Sequence, residues 1–450
     1  MAEFEHGCVV DAGSSGSRIF LYRWPKEVGQ GSMTEVFSEE TAPGISEQER
    51  GLDAMQVLIA AAKSTLLQNG VDFHDVPIYL GATAGLRLVE PVERELTMMR
   101  IRSFLHQSGF IFQDNWARVI TGEEEGVYGW LTINYMMNGG ALPILSSPTY
   151  GALDLGGAST QISFSSEERQ ARRYLRREPV FPISIDDSKY LLYSHSFLHH
   201  GVDAARSKYA KHIIAANGST DHNPCYPVGY VDEVTTLPGS SDWDECLRTV
   251  SLLFEATSCM EEEPCFDSSS LSQQLATYKQ KFVATSAFVF AWDFLGLRTG
   301  PHTDDLSTLN KQAKEICNLD FSHQMRHYQQ YKRSRSGSSI RRTSKPYAQC
   351  FNAAYSYHLL SKGYSMPVVS TPIEVHDIKS WTLGMMLIEA TNLTKDTSNG
   401  DMYSSLLRSY KYAIAGSTLG LMLLASFILT SFKKRRGRRK VSSHPFLNKS

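Results

Sequence analysis

The apolar positions of this chain fall mostly into short runs cut by small polar residues, with a few longer stretches at helical spacing. Val9-Val10 and Ile19 to Tyr22 are β-branched and aromatic, and predict two strands around the turn Asp11-Ala12-Gly13-Ser14-Ser15-Gly16-Ser17. The plan returns at Tyr150 to Phe164, with an apolar strand, Asp154-Leu155-Gly156-Gly157-Ala158-Ser159 and a second apolar strand. The two aspartates lie 143 positions apart, which suggests a duplicated fold with a ligand between the halves. Between the hairpins the pattern predicts a strand at Thr34–Phe37, a helix over Ala54–Leu67, a strand at Val76–Leu80, a helix over Leu96–Gln107 and a strand at Ala117–Ile120. Segments 140–148 and 165–178 read as loops. Phe181–Tyr209 reads as mixed and then helical, 217–270 as loop-rich, and Lys281–Leu295 as an apolar helix or strand. His323–Pro346 is polar and basic and reads as a loop insert. Cys350–Leu360 reads as a helix, and Ser380-Trp381-Thr382-Leu383-Gly384 opens another.

The turns carry the candidate chemistry. Glycines and hydroxyls at a strand end bring backbone N–H groups onto an anion without obstruction, and an aspartate beside such a loop suits a metal, directly or through water. Gly81-Ala82-Thr83-Ala84-Gly85-Leu86-Arg87 is a third small-residue loop, in which Arg87 can neutralise a phosphate. Thr121 is placed to cap a helix whose first turn holds Glu123, Glu124 and Glu125. Gly126 and Gly129 are poor helix formers, and suggest a close neighbour or ligand there.

Charge and compartment narrow the class. The net charge of −2 hides an asymmetry, because residues 433–450 hold eight Lys/Arg and no acid, leaving the rest at −10. A body this acidic argues against nucleic acid as a partner. Tyr412–Phe432 is 21 residues without a charge, long enough to span a bilayer, and Lys433-Lys434-Arg435-Arg436 follows it. The positive-inside rule puts that tail in the cytosol and the body outside or in a lumen. Met1–Gly7 holds no apolar signal, so an N-terminal anchor or leader is expected to precede it; the protein is then single-pass with a leader and two-pass with an anchor. Cys8 reads as a buried free thiol. Neighbour pairing of the other six cysteines gives Cys225–Cys246, Cys259–Cys265 and Cys317–Cys350, among 15 possible connectivities.

Five segments stand in the order of a known family's conserved regions. They are Val-Val-Asp-Ala-Gly-Ser-Ser-Gly-Ser-Arg, Gly-Ala-Thr-Ala-Gly-Leu-Arg, Thr-Gly-Glu-Glu-Glu-Gly-Val-Tyr-Gly-Trp, Ala-Leu-Asp-Leu-Gly-Gly-Ala-Ser-Thr-Gln and Ser-Trp-Thr-Leu-Gly. Over residues 8–392 the chain resembles the ecto-nucleoside triphosphate diphosphohydrolases, or apyrases. The resemblance implies an α/β fold of two similar ribonuclease-H-like (actin-like) domains around a nucleotide cleft. It also implies hydrolysis of nucleoside tri- and/or diphosphates to the monophosphate, dependent on Ca²⁺ or Mg²⁺. Asp11 and Asp154 then hold the metal through water. Ser14, Ser15, Gly16, Thr83, Arg87, Gly156, Gly157, Ala158 and Ser159 bind phosphate. Glu125, directly before Gly126, matches the base, and Ser159 and Gln161 match the groups that position the attacking water. Phe290 and Lys345 fall where the family binds the nucleobase, with lysine in place of the arginine of some members. Gly16 stands where some cell-surface members carry histidine.

The expected organisation is an N-terminal lobe over 1–122, rejoined by 386–405, a C-terminal lobe over 123–385, the transmembrane helix at 412–432 and the basic tail at 433–450. The expected partners are the nucleotide and the bilayer, with association of copies through the membrane helix left open. A nucleotide-gated binding module of the actin or chaperone type, hydrolysing slowly, is the competing reading.

Overall fold

The computed structural model describes residues 3–26, 33–47, 49–140, 149–165, 180–185, 188–215, 221–255, 281–297, 299–301, 303–334, 345–370 and 373–396. Two sheets carry the site, both within one compact unit that runs from Met1 to Leu387. The first begins with β1 (Phe4–Ala12), β2 (Ser17–Pro25) and β3 (Thr34–Thr41), a meander of antiparallel neighbours. Helix α1 (Glu49–Gln68) crosses over to β4 (Ile78–Ala82), which lies parallel to β1. A short α2 (Ala84–Arg87) and α3 (Pro91–His106) lead to β5 (Ala117–Val119), parallel to β4. The order is β3-β2-β1-β4-β5. β1 is apolar through Cys8-Val9-Val10, all three fully buried, as a central strand covered on both faces requires.

Helix α4 (Gly122–Met137) leads out of β5, and the second sheet repeats the plan. Strands β6 (Gly151–Leu155), β7 (Ser159–Ser165), β8 (Val180–Ile185) and β9 (Ser188–Leu198) pair antiparallel as β6-β7-β9-β8. After α5 (Val202–Ala215) and α6 (Trp243–Ser251), β10 (Phe282–Ser286) returns parallel to β6 and continues into α7 (Ala287–Leu295). Helices α8 (Leu306–Cys317), α9 (Phe321–Ser334) and α10 (Gln349–His358) precede β11 (Ile373–Val375), parallel to β10, and α11 (Thr382–Asp396). The order β11-β10-β6-β7-β9-β8 matches the first sheet with one added edge strand. The expected fold of two similar α/β halves is therefore present.

Several sequence expectations change. Lys281–Leu295 is strand and helix in turn, with Ser286 at positive φ (61°) as the hinge between them. The loop-rich 217–270 region contains α6, whose cap is the Asp242 carboxylate accepting from the Glu245 N–H at 3.0 Å. His323–Pro346 is not a loop throughout, because α9 runs to Ser334. There Asp320 accepts from the His323 N–H at 3.0 Å, and Gln324 and Tyr328, four apart, are both buried. A buried polar Gln324, whose Nε2 donates to Leu319 O at 2.9 Å, hid the inward face from a hydropathy reading. Helix α8 went unread despite its inward stripe of Leu306, Leu309, Ala313 and Ile316. Cys225–Cys246 and Cys317–Cys350 are bonded, and Cys8 is a buried thiol. Cys259, Cys265, the loops 140–148 and 165–178 (apart from Gly140 and Ser165) and the span 412–432 lie outside the described residues. Among those described, no helix is long and apolar enough to cross a membrane.

Candidate active site

The two hairpin turns are built alike. In the first, the Gly13 N–H donates to Gly16 O, and in the second the Gly156 N–H donates to Ser159 O, each at 3.0 Å. The turns face one another. A Cβ on Gly157 would come 3.0 Å from Ser14 Oγ and 2.9 Å from Asp203 Oδ2, so only glycine leaves that approach unobstructed. Thr83 joins the first loop through its N–H, which donates to Ala12 O at 3.1 Å. Ser14 is half-buried and Ser15 exposed, while Ala158 is buried. Gly16 packs against Thr41 O, at 2.6 Å from an added Cβ, so a histidine there would require the end of β3 to move.

Asp11 and Asp154 end the central strands of the two sheets. Asp11 is 6% exposed, and burial pushes its carboxyl up to about 6, opposed by Arg18 and reinforced by the Asp154 charge. Arg18 Nη1 lies 3.6 Å from Asp11 Oδ2, and Ser380 Oγ donates to the same oxygen at 3.4 Å.

Helix α4 decides among its three glutamates. Glu124 closes a capping box: its N–H donates to Thr121 Oγ1 at 3.1 Å, and its Oε2 accepts the Thr121 N–H at 2.8 Å. Arg118 holds that same carboxylate at 2.9 Å. The Glu123 carbonyl accepts from Ser194 Oγ, while its side chain stays partly exposed. Glu125 alone turns into the cluster, at 9% exposure. Its Oε2 accepts from Arg87 Nη2 and, at 3.2 Å, from Gln161 Nε2. Burial pushes the Glu125 carboxyl up to about 7, with Arg87 pulling down and the charges of Asp154 and Asp11 pushing up. Gln161 Nε2 also reaches Ser159 Oγ at 2.8 Å and Ser196 Oγ at 3.0 Å, and Arg87 Nη1 reaches Ser196 Oγ at 3.5 Å. A single buried constellation therefore gathers Glu125, Gln161, Ser159 and Arg87, under the electrostatic influence of both aspartates.

A family model for GDA1/CD39 (nucleoside phosphatase) matches residues 2–402. The chain belongs to the GDA1/CD39 family. It is 29% identical to human ectonucleoside triphosphate diphosphohydrolase 3 over 435 residues, covering 85% of this chain and 78% of that one. It is 28% identical to probable apyrase 3 of Arabidopsis thaliana, covering 91% and 86%. The crystal structure of nucleoside triphosphate hydrolases from Neospora caninum shares its fold at TM-score 0.59 and 18% identity, over 86% of this chain and 92% of that one. The GDA1/CD39 chain described here thus has the two-lobed actin-like nucleotidase fold.

Two expected residues sit apart from the constellation. Lys345 Nζ donates to Asp203 Oδ1 at 2.9 Å, where Arg206 also meets Asp203, whose N–H donates to Gly157 O at 2.9 Å. Phe290 is half-buried on α7, four residues past Ser286. Sequence reading missed Ser196 and Ser380 as site partners. Ser196 has no motif around it and lies 35 positions from Gln161, whereas Ser380 stood in a recognised segment from which no residue was assigned to the site.

Proposed function

We propose that this chain is a divalent-cation-dependent phosphoanhydride hydrolase that removes the terminal phosphate from nucleoside tri- and diphosphates. The names of its relatives support the substrate class. The buried Glu125 carboxylate, clamped by Arg87 and Gln161 beside two phosphate loops, is the observation that carries the reading. Glu125 takes a proton from a water as the water oxygen bonds to the terminal phosphorus. The bridging P–O bond breaks, and the departing nucleotide oxygen takes the electron pair. Ser159 and Gln161 orient that water. The turn N–H groups and Ser14 and Ser15 bind the phosphate oxygens, and Arg87 balances the charge of the transferring group.

Two buried acids, Asp11 and Glu125, and the half-buried Asp154 against two guanidiniums fit a cation. Among the described residues no group of three His, Cys, Asp or Glu is placed to hold a metal ion, so Asp11 and Asp154 are assigned to hold Ca²⁺ or Mg²⁺ through water. Such a cation supplies charge neutralisation on the phosphate oxygens. The lobes 1–122 and 123–385, base contacts from Phe290 and Lys345, and a body held outside the cytosol by 412–432 complete the reading.

The test is phosphate release by the full chain from ATP, ADP, UTP, UDP and GDP with Ca²⁺ or Mg²⁺. Multiple turnovers per second, abolished by chelator, are expected. Turnover on the scale of minutes in a folded, oxidised sample would favour the nucleotide-gated module instead.

A further inference from the structure

Helix α4 carries three glycines besides its run of glutamates, and two have a packing reason. A Cβ on Gly122 would fall 2.2 Å from Ser196 Oγ and 2.4 Å from Arg87 Nη1. A Cβ on Gly126 would fall 2.4 Å from the hydroxyls of both Ser163 and Ser194, which bond each other at 2.7 Å. Gly129 has none, since nothing lies within 4 Å of its added Cβ. Yet mid-helix glycine weakens a helix relative to alanine. The space beside it is a small chamber whose lining includes Gly129, Glu125, Asp154, Gln161, Thr285 and Ser380. Its volume for the centre of a water-sized sphere is about 20 Å³, enough for one water with several polar partners. Both hydrogen bonds to Glu125 land on Oε2, and among the described residues no donor reaches Oε1.

We propose that Gly129 keeps this chamber open for one bound water, and that this water positions the Glu125 carboxylate from the side opposite the Arg87–Gln161 clamp. Glycine serves because a side chain at 129 would project into open space beside the chamber and narrow the room left to the water. The inference rests on the proposed role of Glu125 as base.

The test compares Gly129→Ala, Gly129→Ser and Thr285→Val with the parent full chain, reading melting temperature, kcat and KM for ATP. Gly129→Ala is expected to melt at or above the parent, since alanine favours the helix, while kcat falls about tenfold or more at nearly unchanged KM. Gly129→Ser, whose hydroxyl replaces the water's donor, is expected to recover part of that loss. Parent-level kcat in Gly129→Ala, or serine no better than alanine, overturns the proposal. Should Gly129→Ala fail to fold, Thr285→Val removes one chamber hydroxyl at constant volume. A lowered kcat is expected there, and an unchanged one overturns the proposal. Glu125→Gln run alongside separates the two levels. Its full activity would overturn the base assignment, whereas its inactivity beside a fully active Gly129→Ala would overturn only the chamber.

Discussion

The two hairpins share a backbone plan and an aspartate, but differ at the positions that follow it. Seven residues past its aspartate, the first hairpin carries Arg18 and the second Gln161. Both pair directly across the ladder with that aspartate. Arg18 turns back to neutralise Asp11, whereas Gln161 reaches outward to Glu125, Ser159 and Ser196. Five residues past the aspartate, the first has Gly16 and the second Ser159. One copy of the duplicated element thus manages charge, and the other holds the groups that surround Glu125.

The largest break in this comparison comes from Glu125→Gln. Removing one base should lower kcat by a factor of about 10²–10⁴, with nucleotide affinity largely kept, as measured by phosphate release and by equilibrium binding of a fluorescent nucleotide. Retained kcat would move the base elsewhere.

Next is a pH effect. With its carboxyl raised to about 7 by burial, Glu125 is protonated in the acid range, so kcat/KM should rise with pH through about 7, or lower where a bound cation favours the ionised form. Stability has the opposite sign. The folded pKa lies above the unfolded one, so this group's contribution is full below about 4.5 and is lost by about pH 7. Cation-free denaturant titrations should show a falling stability across that window in the parent but a flatter one in Glu125→Gln. Arg18→Gln sharpens the first hairpin's role. Without its cationic neighbour the Asp11 carboxyl rises further, so loss of cation activation on acidification should begin about one pH unit higher.

The smallest expected effect is Ser196→Ala. It removes one buried acceptor shared by Gln161 and Arg87, and should cost about three- to tenfold in kcat. An unchanged rate would show that the clamp needs no support from β9.

Much of this was legible in the chain because it is local. Strand, Asp-x-Gly and hydroxyl turn are contiguous, and their repetition predicts the duplicated sheet. The resemblance selected Glu125, and the capping box explains the choice physically: Thr121 and Arg118 occupy Glu124. What escaped is long-range or polar. Ser196 enters the site only because β9 pairs with β7, placing it opposite Gln161. Helix α9 escaped because its inward positions include a glutamine, satisfied by backbone carbonyls rather than by apolar neighbours.

The division of labour between the hairpins is tested most directly by one pair of cation titrations, of Asp11→Asn and Gln161→Ala, following kcat at saturating nucleotide. Asp11→Asn should shift half-activation to cation concentrations about tenfold higher or more, while kcat at saturating cation stays near the parent's. Gln161→Ala should leave half-activation in place and lower kcat at every cation concentration. The same response from both variants would contradict the account.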